Sequence, residues 1–521
     1  MPLNRFNRNI RSLKRYRQVL GTLIKYGFGH IVEQLNIDYY FELGKRIVSL
    51  GTASRELERL PQGARFRLAL EELGPTFIKL GQILSTRPDI VPADILAELQ
   101  KLQDHIPAVP TNEIKAQIHR ELGYPTEELF KDFDLTPLAT ASISQVHRGT
   151  LKTGEQIVCK VRRPGIVSII ETDLDIMVGL AYLTEKHLPG GELYDPVGVV
   201  REFRRTIHRE LDFSREGRTT DRFAANFADD ETIHIPKVFW DYTGQTVLTL
   251  EYVSGIKISN HDELREAGLD LQVIARNGAD NFLKQVFIHG LFHADPHPGN
   301  IHILPGNILC IFDFGMVGRL DDDLKLHLTE LLLCVLRRDV DRLILQLLYS
   351  GELHDEPNIK NLKRDLTEFI DDYYDILLQD LKIGKLLIDF VEILTEYQIK
   401  FPSNLLLLSR ALFVMEGIGR QLDPNFDMVS HLKPFAEQVI QERYSPTNVA
   451  KDAAKTLQSY HALGKSLPRD IKEFINRINR NKFKIDVEHR GFERLINDLD
   501  KSTNRISFSL IIAALIVGSS L

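Results

Sequence analysis

Cysteine is scarce in this chain. Cys159, Cys310 and Cys334 are the three it has in 521 residues, and they are odd in number, widely spaced and set in apolar runs. Neither a disulfide framework nor a zinc ribbon fits that pattern, and a reducing, cytosol-facing compartment does. An excess of positive charge is also missing. Lys plus Arg total 65 against 72 Asp plus Glu, a formal charge of -7, so no overall basic field exists to grip nucleic acid, and no nucleic-acid partner is expected. No internal repeat or long low-complexity linker is visible. No secretory signal is expected, because the apolar run "VLGTLIKYGFGHIV" is interrupted by Lys25 and His30 and has no small-residue cleavage site.

What is present is the composition of a folded protein, 43% hydrophobic and 26% charged. Its length exceeds what one hydrophobic core supports, so two or more lobes with appended segments are expected. The two ends differ in character. From Met1 to Val32 the chain carries Arg5, Arg8, Arg11, Lys14, Arg15, Arg17 and Lys25 with no acid before Glu33. The last sixteen residues, "ISFSLIIAALIVGSSL" from Ile506 to Leu521, have no charge and no proline. As a helix they would span roughly 24 Å against a hydrocarbon core of roughly 30 Å. The expectation is a membrane-inserted helix, incomplete or thinning the bilayer. The competing reading is a terminal core helix.

Residues 62–136 read as helical, with Gly74-Pro75 opening one helix and Arg87-Pro88 closing it. "GEQIVCKVRR" and "TVLTLEYV" have the β-branched density of strands, and "PKVFWDYTGQTVLTLEYV" reads as a hairpin turning at Thr243-Gly244. Beyond about residue 256 helical periodicity dominates. It is broken by one stretch, "HGLFHADPHPGNIHILPGNILCIFDFGMVGRL", which starts at His289.

That stretch carries the chemistry. Divalent ions bridging nucleotide phosphates need hard oxygen ligands on fixed loops, and a carboxylate must lie where the attacking oxygen would sit. Asp295, with Asn300 five residues on, has the spacing of a protein-kinase catalytic loop, and Asp313-Phe314-Gly315 matches the metal-binding triplet. Upstream, "ATASISQV" lies in the register of the phosphate-covering loop, with Ala139, Ala141 and Ser144 at its three glycine positions and Ser142 and Val146 beside them. Lys160 follows in "IVCK" as the phosphate-pairing lysine. "LTLEYVSG" reads as the hinge that would hydrogen-bond an adenine through backbone groups of Glu251 and Val253. His289, His293, His297 and His302 with Asp295 suggest a zinc hydrolase, but that leaves Asn300, Asp313, Lys160 and the hinge unexplained. His293 is expected to buttress the catalytic loop, and His297 has no assignment.

With "FIKLGQILSTRPDIVP" (Lys79, Gln82), "ATASISQVH", "ELDFSREG" (Glu210, Asp212, Glu216) and "HADPHPGN", the sequence resembles the UbiB atypical kinase-like family. The resemblance covers about 62–500. It implies an α+β, protein-kinase-like bilobal fold with an N-terminal helical extension and a C-terminal membrane helix. The expected division is 1–61 basic leader, 62–136 helical extension with the KxGQ motif, 137–255 N lobe, 256–440 helical C lobe, 441–505 C-terminal extension and 506–521 membrane helix. The resemblance further implies ATP or ADP with Mg2+ as cofactors, Asp295 as catalytic base, Asn300 and Asp313 on the metal, and ATP hydrolysis in support of ubiquinone synthesis. Anionic lipid, prenylated phenolic quinone precursors and other ubiquinone-synthesis proteins are the implied partners. The implied place is the inner, cytoplasmic membrane with the lobes in the cytoplasm.

Several residues speak to how such a protein would differ from a protein kinase. Only Met316 to Leu320 separate the metal triplet from "DDDLKLHLTELLL", too few to build a peptide platform, and Ala294 stands where many kinases have arginine. Phosphorylation of proteins in trans is therefore not expected. Alanine in place of glycine disfavours positive φ in the phosphate loop, and the family associates this loop with unusual nucleotide selectivity. Lys79 and Gln82 share a helix face, and Gly81 between them suggests a close backbone approach. In the family this helix lies over the site and occludes the substrate groove. Glu210, Asp212 and Glu216 offer partners for Lys79 and Lys160. Glu210 is favoured for Lys160, with Glu171 competing. A small-molecule phosphotransferase and a nucleotide-sensing scaffold without turnover are the alternative functions.

Overall fold

The protein is seen in a computed structural model that describes residues 3–35, 59–85, 87, 91–102, 107–187, 195–350, 352–353, 358–374, 383–397, 399–400, 403–443, 445 and 472. The chain divides into two units, Met1–Gln441 and Glu442–Leu521. The expected membrane helix at 506–521, and nearly all of the expected extension at 441–505, lie outside the described residues. Among the described residues no helix is long and apolar enough to cross a membrane.

The first unit opens with helix α1 (Leu3–Lys25), followed by α2 (Gln62–Leu73), α3 (Pro75–Leu84), α4 (Ala93–Leu99) and α5 (Thr111–Leu122). Gly74, at φ +92°, ends α2 and starts α3, a backbone turn that a Cβ would strain, and Pro75 then supplies the fixed φ of a first helical residue. Within the basic leader, α1 is tied to its neighbours. Asp173 is fully buried and needs a cation. Arg15 supplies it, with Nε 2.7 Å from Oδ1 and Nη2 3.0 Å from Oδ2, while Nη2 also donates to Leu73 O at 2.6 Å. Lys25 pairs with Glu72 at 2.5 Å, and Val19 is buried. Lys14 and Arg17 remain exposed.

An antiparallel sheet comes next, built from β1 (Phe130–Phe133), β2 (Ala139–Thr140), β3 (Ser144–Leu151), β4 (Gln156–Arg162) and, after an excursion, β6. The excursion holds α6 (Ile166–His187), α7 (Pro196–Glu210), α8 (Phe213–Asn226) and the short β5 (Ile233–His234), and β6 is Val247–Glu251. On β4 the residues Ile157, Cys159 and Val161 are fully buried, and Lys160 points to the other face, as period-2 alternation requires. Three-ten turn residues Trp240–Tyr242 precede β6, and Phe239 N–H donates to Thr249 O, so the chain does turn back on itself around Thr243-Gly244.

A second sheet joins β5 to β10, β9 and β7 (Ile256–Lys257), where β9 is Ile301–Leu304 and β10 is Ile308–Ile311. Between its strands lie α9 (Leu271–Leu283) and β8 (Leu291–His293), and β8 pairs with β11 (Val317–Arg319). Helices α10 (Asp322–Leu336), α11 (Val340–Ser350), α12 (Ile359–Tyr374), α13 (Ile383–Glu396), α14 (Ser403–Leu422) and α15 (Met428–Arg443) complete the unit. One apolar core joins α9 to these helices, through Phe282, Leu343, Leu366, Leu394 and Met428 among others. The α+β class follows from a sheet-rich region packed beside a helical one.

Candidate active site

Lys160 stands in the middle of its sheet, between Val146 on β3 and Leu248 on β6, so its ammonium is fixed by three strands. The Nζ atom lies 2.8 and 2.9 Å from the two carboxylate oxygens of Glu216 and 3.5 Å from Asp313 Oδ1. Glu216 comes from α8, whose N-terminus is capped by Asp212 through Ser214 N at 3.2 Å. These contacts correct two sequence expectations. The partner of Lys160 is Glu216 and not Glu210, and Asp212 serves as the cap of α8, its Oδ1 also accepting from Ser214 Oγ at 2.6 Å while its Oδ2 lies 4.0 Å from Arg215 Nε. Glu210 ends α7 and holds Lys79 of α3 at 3.2 Å instead. Glu171 bonds His208 at 2.6 Å.

The electrostatics follow from this packing. Burial works against the Lys160 ammonium, yet the carboxylates of Asp313 and Glu216 more than offset it and its pKa rises. Asp313 is drawn down to about 2, first by Lys160 against the opposing effect of burial, with help from Lys79. Lys79 and Lys160 thus act on the same carboxylate.

The Asp295 segment is set by hydrogen bonds around His293. Gln285 accepts from His293 N at 3.0 Å. Asp295 N–H donates to His293 Nδ1 at 3.2 Å, which makes Nε2 the protonated nitrogen and the donor to Phe312 O at 3.1 Å. One imidazole therefore ties the Asp295 loop to the residue before Asp313, the buttressing role that the sequence suggested. Asp313 sits at φ +57°, a left-handed conformation that Asp tolerates, and accepts from Gly315 N at 3.2 Å. Phe314 is buried against Phe223 of α8, ring centres 4.6 Å apart, which packs the triplet against the helix bearing Glu216. Asn300 Nδ2 donates to Asp295 O at 3.4 Å.

A cleft of about 1080 Å³ brings many of these groups together. Lys79, Ala141, Ser142, Ser144, Lys160, Glu210, Glu216, Asp295 and Asp313 line it. Gln82, Ala139, Val146, Asp212, Glu251, Val253 and Asn300 are not among its lining residues. Ala139 pairs with Val146 across the β2–β3 hairpin, and Ala141 N–H donates to Ser144 O at 2.9 Å. Neither Ala139 nor Ala141 has a positive φ, so the loop is a plain hairpin that alanine fits. Glu251 Oε2 lies 3.1 Å from His234 Nε2 and accepts from Lys237 N–H, also at 3.1 Å. Beyond β6, no described residue pairs with the backbone N–H of Val253.

Gly81 owes its place to packing. A methyl group there would run into Leu102 and come within 2.7 Å of Leu70 Cδ1, so α3 lies against α2 and the end of the α4 segment at backbone distance. The segment from Met316 to Leu320 is as short as the sequence implied, since β11 takes three of its residues and Asp321 already caps α10. Arg410 of α14 was not foreseen. It lies 3.7 Å from Asp295 Oδ1, and 115 residues separate the two in sequence, so no spacing could have revealed it.

Among the described residues there is no group of three or more His, Cys, Asp or Glu able to hold a metal by itself. The zinc-cluster alternative has no support there. Magnesium makes a different demand, since it binds through one or two carboxylates together with substrate phosphates. The ionised, partly exposed Asp313 facing the cleft fits that demand.

Three family models match the chain. The ABC1 atypical kinase-like domain matches residues 101–347, the UbiB helical domain 366–427, and the ABC1/UbiB kinase-like C-terminal domain 490–521. The chain is 35% identical over 467 residues to the uncharacterized protein sll1770 of Synechocystis, covering 89% of this chain and 80% of that one. It is also 35% identical to the probable protein kinase UbiB of Marinobacter nauticus, covering 89% and 85%. A solved complex of Rv3197 with erythromycin from Mycobacterium tuberculosis aligns at 22% identity and a TM-score of 0.48, over 68% of this chain and 92% of that one.

Proposed function

Because the chain belongs to the ABC1/UbiB atypical kinase-like family, we propose that it is a membrane-associated, Mg-nucleotide-binding ATPase that supports ubiquinone synthesis. The observation that carries the reading is Lys160 held at once by Glu216 and Asp313, in a cleft that also contains Asp295. A lysine fixed between two carboxylates from separate elements is placed to receive phosphate oxygens, and Asp313 with Asn300 would hold magnesium. Bound magnesium would spread the developing charge on the transferred phosphoryl group. Asp295 would accept a proton from the attacking water or hydroxyl, with the Arg410 guanidinium 3.7 Å from its Oδ1.

The short segment after Gly315 supports small nucleophiles over peptides, because no platform follows the triplet. Lys79 of α3, bound to Glu210 inside the same cleft, supports a restricted acceptor side. The membrane part of the reading rests on the uncharged segment Ile506–Leu521, on the exposed Lys14 and Arg17, and on the nature of a prenylated substrate, which is confined to a bilayer. Phosphate release from ATP by the full-length protein tests the reading, measured with and without anionic vesicles and a phenolic quinone-precursor analogue. Turnover that rises with both additions is expected. No turnover under any condition would leave a nucleotide-sensing scaffold, and turnover indifferent to vesicles would remove the membrane from the account.

A further inference from the structure

The cleft holds more positive charge than nucleotide chemistry uses. Besides Lys79 and Lys160, Arg209 of α7, Arg218 and Arg222 of α8 and Arg319 of β11 line it. All four are exposed, and none makes a hydrogen bond or ion pair through its side chain with any described residue. The acids nearby are committed elsewhere. Asp221 accepts from Trp240 Nε1 at 2.7 Å, Glu202 pairs with Arg87 at 2.9 Å, and Asp212 caps its helix. In a chain with a net charge of -7 this concentration runs against the average composition.

Topology explains how the four arginines meet. Arg218 and Arg222 are four residues apart and so share a face of α8, the helix that also carries Glu216. Arg319 lies six residues after Asp313, at the end of the strand that follows the metal triplet, and Arg209 lies one residue before Glu210. The pKa of Arg319 is lowered, first by burial and then by the charges of Arg222 and Arg209, so two cleft guanidinium groups act on the third. Repulsion of this kind is relieved by a bound anion. Guanidinium groups converging from three elements suit a group with several acceptor oxygens and more than one negative charge.

We propose that Arg209, Arg222 and Arg319, with Arg218 beside them, form a second anion subsite of the cleft that takes a phosphate or diphosphate group of a ligand other than the nucleotide. The identity of that ligand as the partner of a bound nucleotide rests on the function proposed above; the anion subsite itself does not. Its chemistry is a phosphate ester, supplied either by a soluble phosphorylated molecule or by the headgroup of an anionic phospholipid.

Inorganic pyrophosphate is the first probe, titrated calorimetrically into the full-length, nucleotide-free protein at two salt concentrations. The proteins compared are the wild type, Lys160→Ala, Arg222→Gln/Arg319→Gln and Arg222→Lys/Arg319→Lys, each shown by thermal unfolding to be fully folded at the titration temperature. Pyrophosphate should bind the wild type and Lys160→Ala alike, and about tenfold more weakly to the glutamine double variant, with the lysine variant between them. Affinity equal in the wild type and the glutamine variant would overturn the proposal, as would binding lost in Lys160→Ala, which would put the anion at the nucleotide phosphates. ADP binding, measured separately on the same proteins, reports on the nucleotide reading alone. Sedimentation with phosphatidylcholine vesicles, with and without phosphatidic acid, identifies the source. Vesicle binding that needs phosphatidic acid and falls in the glutamine variant supports a lipid headgroup, and pyrophosphate binding without that dependence supports a soluble ligand.

Discussion

Both carboxylate oxygens of Glu216 lie within 2.9 Å of the Lys160 ammonium. The pair is mostly shielded from solvent, with 17% and 8% of the two side chains exposed. Removing one member of such a pair leaves a charge with no partner, which costs about 3 kcal/mol, whereas removing both leaves little to desolvate. Lys160→Met should therefore lower stability by about that amount in urea unfolding, and Lys160→Met/Glu216→Gln should recover most of it. Recovery by Glu210→Gln in place of Glu216→Gln would mean that the pairing is wrong.

Lys79 and Glu210 join α3 to α7 across the cleft. Glu210→Gln should weaken that link and let α3 open more often, seen as faster amide hydrogen exchange over residues 75–84 with α2 unchanged. Exchange unchanged throughout α3 would show that apolar packing alone holds it.

At Gly81 two effects oppose each other. Alanine gains about 1 kcal/mol of helix propensity over glycine, while overfilling a packed contact costs about 1–3 kcal/mol. Leu70 and Leu102 are both buried and have little room to move, so Gly81→Ala should be destabilising on balance, by about 1 kcal/mol in urea unfolding. A more stable variant would show that the two leucines yield freely.

The alanine loop allows a test of nucleotide preference. Ala139→Gly adds backbone freedom to a hairpin end that now has none of glycine's conformations. The ratio of ADP to ATP affinity should change, with little change in overall stability. Equal ratios in both proteins would release the loop from any part in selectivity.

Much of the site was legible because its motifs are local. Asp295, the Asp313 triplet and Lys160 each announce themselves by neighbours in sequence, and the alternation of β4 places Lys160 on the face away from Cys159. Pairings between helices were not legible. Glu210 and Glu216 lie six residues apart across a helix break at Leu211 and Asp212, and only the direction of the second helix decides which carboxylate meets Lys160. The same limit hid Arg410 and the arginines of the cleft. The pairing of Arg15 with the buried Asp173 was hidden for the same reason, since 158 residues separate them.

The pH dependence of the site follows from Asp313. Its carboxyl is held at about 2 in the folded protein, below its unfolded value near 4, so its favourable interaction is complete above pH 4 and fades as pH falls toward 2. Over pH 6 to 8 this group stays ionised, and stability should not vary on its account. A loss of stability attributable to Asp313 within that range, in wild type compared with Asp313→Asn, would contradict the depressed pKa.

Calorimetric titration of ADP into full-length wild type and Asp313→Asn, with and without magnesium, tests the central claim most directly. The wild type should bind ADP more tightly with magnesium, and Asp313→Asn should lose most of that gain while keeping its fold, because a hard cation loses its charged oxygen ligand. The same magnesium-dependent affinity in both proteins would contradict the account of this cleft as a Mg-nucleotide site.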